Sequence, residues 1–256
     1  IYSLRNIPSG QKKKEFLRKY PALKVTALSK QHMLDYDNRN ISVVPWGVDF
    51  DLYDFCEQSL SQSEESPNSS ILREWQTEGT DYLVMVGAIG IHKSQSTAIE
   101  IAQKTNLRLI IAGTPQDTLT LKKTNYFKNE IVPHLSDKIV YFGNANEQQK
   151  IDLMRFAKAS VAPFGFEFPK WKEPFGRTMI ESMACGTPVI AYRNGSPIDM
   201  IKEGLSGYLF DTIEEAVEKV PSLDLLNRYE TRKYAERLFN IKRVVDDYEK
   251  IFRTIV

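Results

Sequence analysis

Apolar residues along this chain fall into short continuous runs, separated by longer polar or mixed stretches. The runs are rich in β-branched residues and bounded by turn residues, a pattern typical of strands buried on both faces of a parallel sheet. The predicted strands are residues 24–28, 41–44, 82–88, 107–112, 138–142, 160–164, 187–192 and 207–210.

The stretches between several of these runs have the length and periodicity of helices. Within residues 177–185, for example, Met179, Ile180, Met183 and Ala184 fall on one helical face. Strands that alternate with helices in this way predict a doubly wound, Rossmann-like α/β fold with a parallel sheet and right-handed crossovers. The other predicted helices are residues 94–104, 146–158, 224–239 and 241–255.

The pattern divides the chain unequally. Residues 1–45 hold only two or three predicted strands, too few to close a sheet, so we interpret them as the end of a first domain that is mostly absent. Residues 46–238 are predicted to form the main domain, and residues 239–256 a C-terminal helix. Between residues 59 and 70 the composition turns to Ser, Glu, Gln and Asn, which predicts an exposed linker or a mobile loop.

Composition and charge exclude several classes of protein. The apolar share is 42% in 256 residues, which excludes intrinsic disorder. Lys plus Arg is 34 and Asp plus Glu is 33, so the chain lacks the basic excess of a nucleic-acid-binding protein. The longest apolar run, residues 83–91, is far shorter than the roughly 20 residues that cross a bilayer. Cys56 and Cys185 have no metal-ligand spacing, which favours free thiols and a cytoplasmic protein.

Two junctions between a strand and the following helix carry candidate binding residues. In open α/β sheets, ligands bind outside the carboxyl ends of the strands, and phosphates bind at helix N-termini. The first junction, residues 87–94, reads Gly-Ala-Ile-Gly-Ile-His-Lys-Ser and matches neither a Walker loop nor GxGxxG. Its Gly87 turn and Lys93 can present amides and a positive charge to phosphate. A tight turn with a solvated lysine explains the same residues.

The second junction runs from Glu173 into a helix that begins near Gly176. Free amides at the start of this helix, from Gly176, Arg177 and Thr178, can meet a phosphate. Glu181 lies about 7.5 Å further along the axis, which suits a diphosphate at the helix tip and a ribose at the carboxylate. Glu173 can then reach the group beyond the diphosphate. The alternative is that Glu173 caps the helix and Glu181 lies on a solvated face.

The pair Glu173-x7-Glu181 stands in a longer series of motifs, which closely resembles the donor-binding half of the retaining GT-B glycosyltransferases of family four. Residues 42–49, Ser-Val-Val-Pro-Trp-Gly-Val-Asp, resemble that family's passage into its second domain, where Asn more often precedes the Gly. The resemblance runs from about residue 24 to the C-terminus. The series includes Phe175-Gly176, the stretch Ala-Cys-Gly-Thr-Pro-Val-Ile-Ala at residues 184–191, Gly195, Gly204 and Gly-Tyr-Leu-Phe-Asp at residues 207–211.

The resemblance implies a retaining glycosyltransferase that uses a nucleotide-diphosphate sugar as donor and needs neither a metal nor another cofactor. The acceptor stays unidentified. Residues 1–45 would then be the end of the N-terminal acceptor-binding domain, and residues 46–238 the nucleotide-sugar-binding domain. Residues 239–256 would be a helix that crosses back toward the first domain.

The family also assigns roles to individual residues. The residue matching Glu173 contacts the transferred sugar, the one matching Glu181 holds the ribose, and the one matching Lys93 clamps the diphosphate. Glu173 and Lys93 are therefore the expected catalytic residues. The expected donor-binding residues are Gly87, Lys93, Phe175, Gly176, Arg177, Thr178 and Glu181.

Two further positions depart from the family pattern. Ala88 stands where the family usually has an arginine that binds the diphosphate, and His92 or Arg177 is expected to replace it. Asp199 stands where glutamate is commoner, and it either orders a loop or contacts the ligand. Because of Ala88, a second interpretation is that the chain is a catalytically inert relative, which binds nucleotide sugar without turnover. A sugar-nucleotide epimerase is a third interpretation, which the pair of glutamates disfavours.

Three further segments have two interpretations each. A basic stretch near the N-terminus is either an exposed helix face or a peripheral contact with anionic membrane. The aromatic residues 164–172 form either a packing loop or a lip of the cleft that faces sugar or acceptor. The triplet Asp35-Tyr36-Asp37 resembles a metal-binding pair but suits a surface position better. The basic stretch comprises Lys12, Lys13, Lys14, Arg18, Lys19 and Lys24, with Phe16, Leu17 and Tyr20 between them.

Overall fold

The computed structural model describes residues 2–3, 11–34, 40–53, 81–116 and 125–254, with side chains from residue 15 onward. The predictions about Cys56, residues 35–37 and residues 59–70 lie outside these ranges, as do those about the side chains of Lys12, Lys13 and Lys14.

The strands form two separate parallel sheets. A small sheet has the order β1-β2-β3, and the main sheet has the order β6-β5-β4-β7-β8-β9. Counted from β4, the main sheet reads 3-2-1-4-5-6, the order of a doubly wound Rossmann sheet, which confirms the predicted fold class. The strands are β1 (Tyr2–Ser3), β2 (Val25–Ala27), β3 (Ile41–Val43), β4 (Tyr82–Val86), β5 (Arg108–Ala112), β6 (Ile139–Gly143), β7 (Ala159–Ala162), β8 (Val189–Tyr192) and β9 (Gly207–Phe210).

Helices cover the main sheet on both faces, and every residue of β4 and β7 is buried. The predicted helix from residue 224 begins only at Arg228, because Val220–Leu225 forms a 3₁₀ turn and the side chain of Asn227 caps α8. The helices are α1 (Gln11–Lys19), α2 (Lys30–Leu34), α3 (Gln95–Thr105), α4 (Glu147–Arg155), α5 (Arg177–Ala184), α6 (Pro197–Met200), α7 (Ile213–Lys219), α8 (Arg228–Phe239) and α9 (Ile241–Arg253).

The basic segment at the N-terminus forms α1, which packs on the small sheet. Leu17 is buried with Val25 and Ala27, whereas Arg18 and Lys19 are exposed. The exposed helix face is thus present, and contact with a membrane stays a prediction. Within the described ranges, no helix is long and apolar enough to span a membrane.

The small sheet leads into the main domain through a segment that lies against the junction of α8 and α9. The amide of Val48 donates to Phe239 O at 2.8 Å, and the amide of Ile241 donates to Val48 O at 3.0 Å. Gly47 is required here because a Cβ would lie 2.5 Å from Ile241 Cδ1 and 2.6 Å from its Cα. The passage from one sheet to the other is therefore fixed by backbone contacts.

The main sheet reverses its winding between β4 and β7. At such a switch point the connections that leave the two strands run in opposite directions and open a crevice, where ligands bind. The connection after β4 carries Lys93, and the connection after β7 carries Glu173. The topology thus brings the two predicted junctions to one place.

Candidate functional site

The turn after β4 is closed by the side chain of Gln95. Its Nε2 donates to Ala88 O at 2.9 Å, and its Oε1 accepts the amide of Gly90 at 3.2 Å. Gly87 has a φ of 152° and begins the turn. These bonds give the turn one shape and set Lys93 just before α3.

Lys93 pairs with Glu173 across the crevice. The distance from Nζ to Glu173 Oε2 is 2.5 Å, and the side chains are 17% and 6% exposed. Two rings complete the surroundings of the ammonium, with the centroids of Phe164 and Trp171 at 4.3 Å and 4.8 Å. Lys93 is therefore not a solvated lysine.

Glu173 also caps α5. Its Oε1 accepts the amide of Gly176 at 2.9 Å, where a carboxylate is favoured by the helix dipole. The predicted free amide of Gly176 is therefore engaged, because Glu173 satisfies it. The capping alternative is correct for Glu173, and the same side chain holds Lys93 with its other oxygen.

The backbone beside Glu173 is held by a second loop. The amide of Ser196 donates to Glu173 O at 2.8 Å. Gly195 has a φ of 82°, and a Cβ there would lie 2.5 Å from Glu173 O and 2.8 Å from its N. Only glycine fits so close to the chain at Glu173.

A second charged cluster surrounds Glu181. Its Oε1 lies 2.8 Å from Arg177 Nε and 3.1 Å from Lys150 Nζ. Lys150 also lies 2.9 Å from Glu147 Oε1, which accepts a hydrogen bond from the hydroxyl of Tyr53 at 2.6 Å. The side chain of Glu181 is 2% exposed, so the alternative interpretation, in which it lies on a solvated face, is wrong. Burial would by itself raise the pKa of Glu147, but Tyr53 and Lys150 lower it overall.

The other predicted donor-binding residues lie between these two clusters. Phe175 is buried and stacks edge-on against Trp46 at 5.2 Å, so its ring belongs to the core and its backbone alone can face a ligand. Thr178 is half-buried in the first turn of α5. The helix start thus separates the Lys93–Glu173 pair from the Glu181 cluster.

The aromatic segment that follows β7 is a packing loop around Lys93. Phe164 is buried, and Phe166 stacks edge-on against Tyr192 at 5.1 Å. Trp171 stacks on His92 as well, with the centroids 5.0 Å apart. Burial and the charge of Lys93 lower the pKa of His92, so its ring is neutral at pH 7.

Glu167 fastens this loop to α3, a role that the sequence analysis missed. Its carboxylate accepts from Thr97 N at 3.2 Å, from Tyr126 Oη at 3.0 Å and from Ser96 Oγ. Its own amide donates to Ser94 Oγ at 3.0 Å. Burial and Glu167 raise the pKa of Tyr126. One carboxylate thereby fixes the loop that holds Phe164 and Trp171 against Lys93.

The segment after β2 contacts the two loops that contain Pro174 and Asp199. The hydroxyl of Ser29 donates to Pro174 O at 3.1 Å, and the amide of Gln31 donates to Asp199 Oδ2 at 2.8 Å. Of the two interpretations of Asp199, the ordering role matches this contact. Among the described residues, no three His, Cys, Asp or Glu side chains are placed to hold a metal ion.

Comparison with known proteins gives a consistent result. The family model for glycosyl transferases group 1 matches residues 70–237. The chain is 42% identical over 76 residues to a probable sucrose-phosphate synthase of Thermosipho melanesiensis, covering 30% of this chain and 16% of that one. It is 25% identical over 182 residues to the capsular polysaccharide biosynthesis glycosyltransferase CapM of Staphylococcus aureus. This match covers 65% of this chain and 43% of that one.

Solved structures share the fold. Anabaena Alr3699/HepE, crystallised with UDP and glucose, superposes with a TM-score of 0.74 at 19% identity, covering 99% of this chain and 71% of that one. The chain therefore spans less than half the length of these curated relatives and 71% of the length of the solved structure.

Proposed function

The chain belongs to the group 1 glycosyltransferases, and from that membership we propose that it binds a nucleotide-diphosphate sugar and transfers the sugar to an acceptor hydroxyl. One observation carries the proposal. At the switch point of the sheet, Glu173 and Glu181 flank the start of α5, and each is paired with a cation, Lys93 and Arg177 respectively. Carboxylates bind sugar hydroxyls and cations bind a diphosphate. The complex of Alr3699/HepE with UDP and glucose supports the choice of donor.

Binding of the donor exchanges ion-pair partners. A diphosphate that reaches Lys93 and Arg177 competes with the two carboxylates for the same cations. Glu173 then becomes available to the transferred sugar, and Glu181 to the ribose. The rings of Phe164 and Trp171 keep the Lys93 ammonium in place while its partner changes. A cation fixed in this way stabilises the charge that develops on the leaving diphosphate.

We further propose that transfer retains the anomeric configuration. The bond from the anomeric carbon to the diphosphate oxygen breaks, and the acceptor oxygen bonds to that carbon on the same face. The acceptor's proton passes to an oxygen of the leaving diphosphate. Because the leaving diphosphate takes the proton, this step needs neither a side-chain base nor a metal. The chain's own contribution is therefore to position the reactants and to supply charge.

Arg177 is the better of the two expected replacements for the arginine missing at Ala88. The ring of His92 is neutral at pH 7 and offers no charge to a diphosphate. Arg177 is always charged, and its side chain is 56% exposed at the start of α5. We therefore propose that Arg177 turns from Glu181 to the diphosphate when the donor binds.

We propose that residues 1–45 belong to the acceptor-binding domain and residues 46–238 to the donor domain. The separate three-stranded sheet supports this division. The contacts of Ser29 with Pro174 and of Gln31 with Asp199 join the two parts beside the proposed donor site. The choice of acceptor would then depend on the first domain.

Hydrolysis of the donor tests the proposal without a known acceptor. We expect this chain to release a nucleoside diphosphate slowly from one class of α-linked UDP-, GDP- or ADP-sugar, and the first-formed free sugar to be the α anomer by NMR. Glu173→Gln should abolish release, whereas Glu218→Gln, an exposed carboxylate on α7, should leave it unchanged. Release of the β anomer would exclude retention.

An inert relative is the second candidate, and Ala88 is the observation that favours it. Such a chain would bind the same nucleotide sugar with the same dependence on Glu181 but would release nothing above the rate of the Glu173→Gln variant. If the chain binds the nucleotide sugar but releases no nucleoside diphosphate, it is a nucleotide-sugar-binding subunit and the proposal of a transferase is wrong.

A further inference from the structure

Lys150 is a half-buried cation beside Glu181 to which the proposed function assigns no role. Its Nζ lies 3.1 Å from Glu181 Oε1 and 2.9 Å from Glu147 Oε1, and its side chain is 14% exposed. The Tyr53 ring lies beneath the same ammonium, with its centroid at 5.9 Å. Lys150 thus joins the carboxylates of two neighbouring helices.

The two cations on Glu181 differ in their freedom to move. Arg177 is 56% exposed and stands in the first turn of α5, whereas Lys150 is enclosed by Glu147, Glu181 and Tyr53. Glu181 is 2% exposed, and a carboxylate buried to this extent requires a nearby counter-charge. If Arg177 leaves, Lys150 is the cation that remains with Glu181.

The position of Lys150 is fixed by the packing of α4 on α5. A capping box formed by Asn146 and Gln149 stabilises the first turn of α4, and Lys150 directly follows Gln149. At the other end of α4, the hydroxyl of Thr187 donates to Met154 O at 2.6 Å. The helix that carries Lys150 is therefore held at both ends, next to the helix that carries Glu181.

Both cations lie closest to the same oxygen of Glu181. The shortest contact of Lys150 and the shortest contact of Arg177 with this carboxylate are both to Oε1, at 3.1 Å and 2.8 Å. Oε2 can therefore accept from a ligand hydroxyl while Lys150 keeps Oε1 in place. The ribose of the proposed donor supplies such hydroxyls.

We propose that Lys150 is a positioning residue that holds Glu181 for the ribose and so leaves Arg177 free to serve the diphosphate. This inference rests on the proposed function. It divides the work between the two cations: Lys150 controls the recognition of ribose, and Arg177 controls the affinity for the diphosphate. A purely structural lysine would stabilise the fold without changing which sugar ring is preferred.

The test compares a nucleoside diphosphate with its 2′,3′-dideoxy counterpart by calorimetry, using whichever of UDP, GDP or ADP the wild-type chain binds. The ribose form can donate hydrogen bonds to the charged Glu181, whereas the dideoxy form cannot. The wild type should therefore bind the ribose form with about tenfold or more higher affinity. Lys150→Met should reduce this preference to about twofold or less. Arg177→Met should weaken both ligands equally and keep the preference. Lys233→Met, an exposed lysine on α8, is the matched control and should behave as the wild type.

The outcomes separate the inference from the function on which it rests. If Lys150→Met folds and keeps the tenfold preference, Lys150 has no positioning role and the inference is wrong. If that variant does not fold, Lys150→Gln, which keeps a polar side chain, replaces it with the same expectation. A wild type that binds neither form at millimolar concentration overturns the proposed function and the inference together. A wild type that binds both forms equally overturns the ribose role of Glu181 and the inference, but leaves donor binding standing.

Discussion

The ammonium of Lys93 lies 2.5 Å from the carboxylate of Glu173, and the two residues come from opposite sides of the switch point of the sheet. Neither side chain is free, because Glu173 also caps α5 and Lys93 lies against two aromatic rings. A ligand that replaces both members of this ion pair would have to offer negative charge to Lys93 and hydroxyl groups to Glu173. A nucleotide-diphosphate sugar does both.

Replacing Lys93 by methionine tests the proposed role of this cation. Lys93→Met should lower the rate of donor hydrolysis by about 100-fold or more, since one preorganised donor to a developing charge is worth about that factor. It should also destabilise the fold, because Glu173 is left buried without its counter-charge. Rates at saturating donor and urea unfolding measure the two effects. A folded variant with the rate of the wild type would show that Lys93 does not act on the diphosphate.

Introducing the arginine that the family usually carries tests whether Arg177 replaces it. Ala88→Arg should change the hydrolysis rate of the wild type less than about threefold, because Arg177 already supplies the charge. In the Arg177→Met background the same substitution should restore most of the lost rate. The four rates form a double-mutant cycle. A large gain from Ala88→Arg in the wild type would mean that Arg177 compensates for nothing.

Gly195→Ala tests the close approach of the second loop to Glu173. Its Cβ would meet the backbone of Glu173, whereas the Cβ of Gly204→Ala, at a similar φ of 74°, has open space around it. Gly204→Ala should cost about 1–2 kcal/mol of unfolding free energy from the left-handed backbone alone. Gly195→Ala should cost at least about 1 kcal/mol more and should weaken donor binding. Urea unfolding of both variants measures the difference, and equal losses would refute a specific contact with Glu173.

The lowered pKa of His92 predicts a dependence of stability on pH. The folded protein favours the neutral ring, so the contribution of His92 is complete above its ordinary pKa of 6.5 and is lost as the pH falls through the lower folded value. Between pH 7.5 and pH 5.5, about one unit on either side of the ordinary pKa of 6.5, the wild type should therefore lose more unfolding free energy than His92→Gln does. A parallel loss in both proteins would show that His92 is not buried as a neutral ring.

The fold was predictable because its signals are local. Continuous apolar runs located β2 to β9, and glycine and polar residues marked the turns between them. Strand β1, with two residues, and the short helices α2, α6 and α7 were missed, since elements of that length show no periodicity. Helix α8 begins later than predicted because of the turn that contains Pro221 and the cap at Asn227. A periodic pattern of apolar residues does not show turns and caps.

The site was predictable in part. The motif around Glu173 and Glu181 is contiguous, so its residues could be named from the sequence, and the structure places Lys93 beside Glu173. Lys150 and Glu167 could not be named, because Glu181 is 31 residues from Lys150 and the side chains that bind the Glu167 carboxylate are 41 or more residues away. Such residues are found only once the helices and loops are packed.

Calorimetric titration with UDP-, GDP- and ADP-sugars tests the central claim most directly, since binding of the donor needs no acceptor. We expect saturable binding of one nucleotide class by the wild type, and a loss of affinity of about tenfold or more in Glu181→Ala. Glu218→Ala, an exposed carboxylate on α7, should bind as the wild type does. Equal binding by Glu181→Ala and the wild type, or no binding of any of these donors by the folded chain at millimolar concentration, would contradict a donor site at the start of α5.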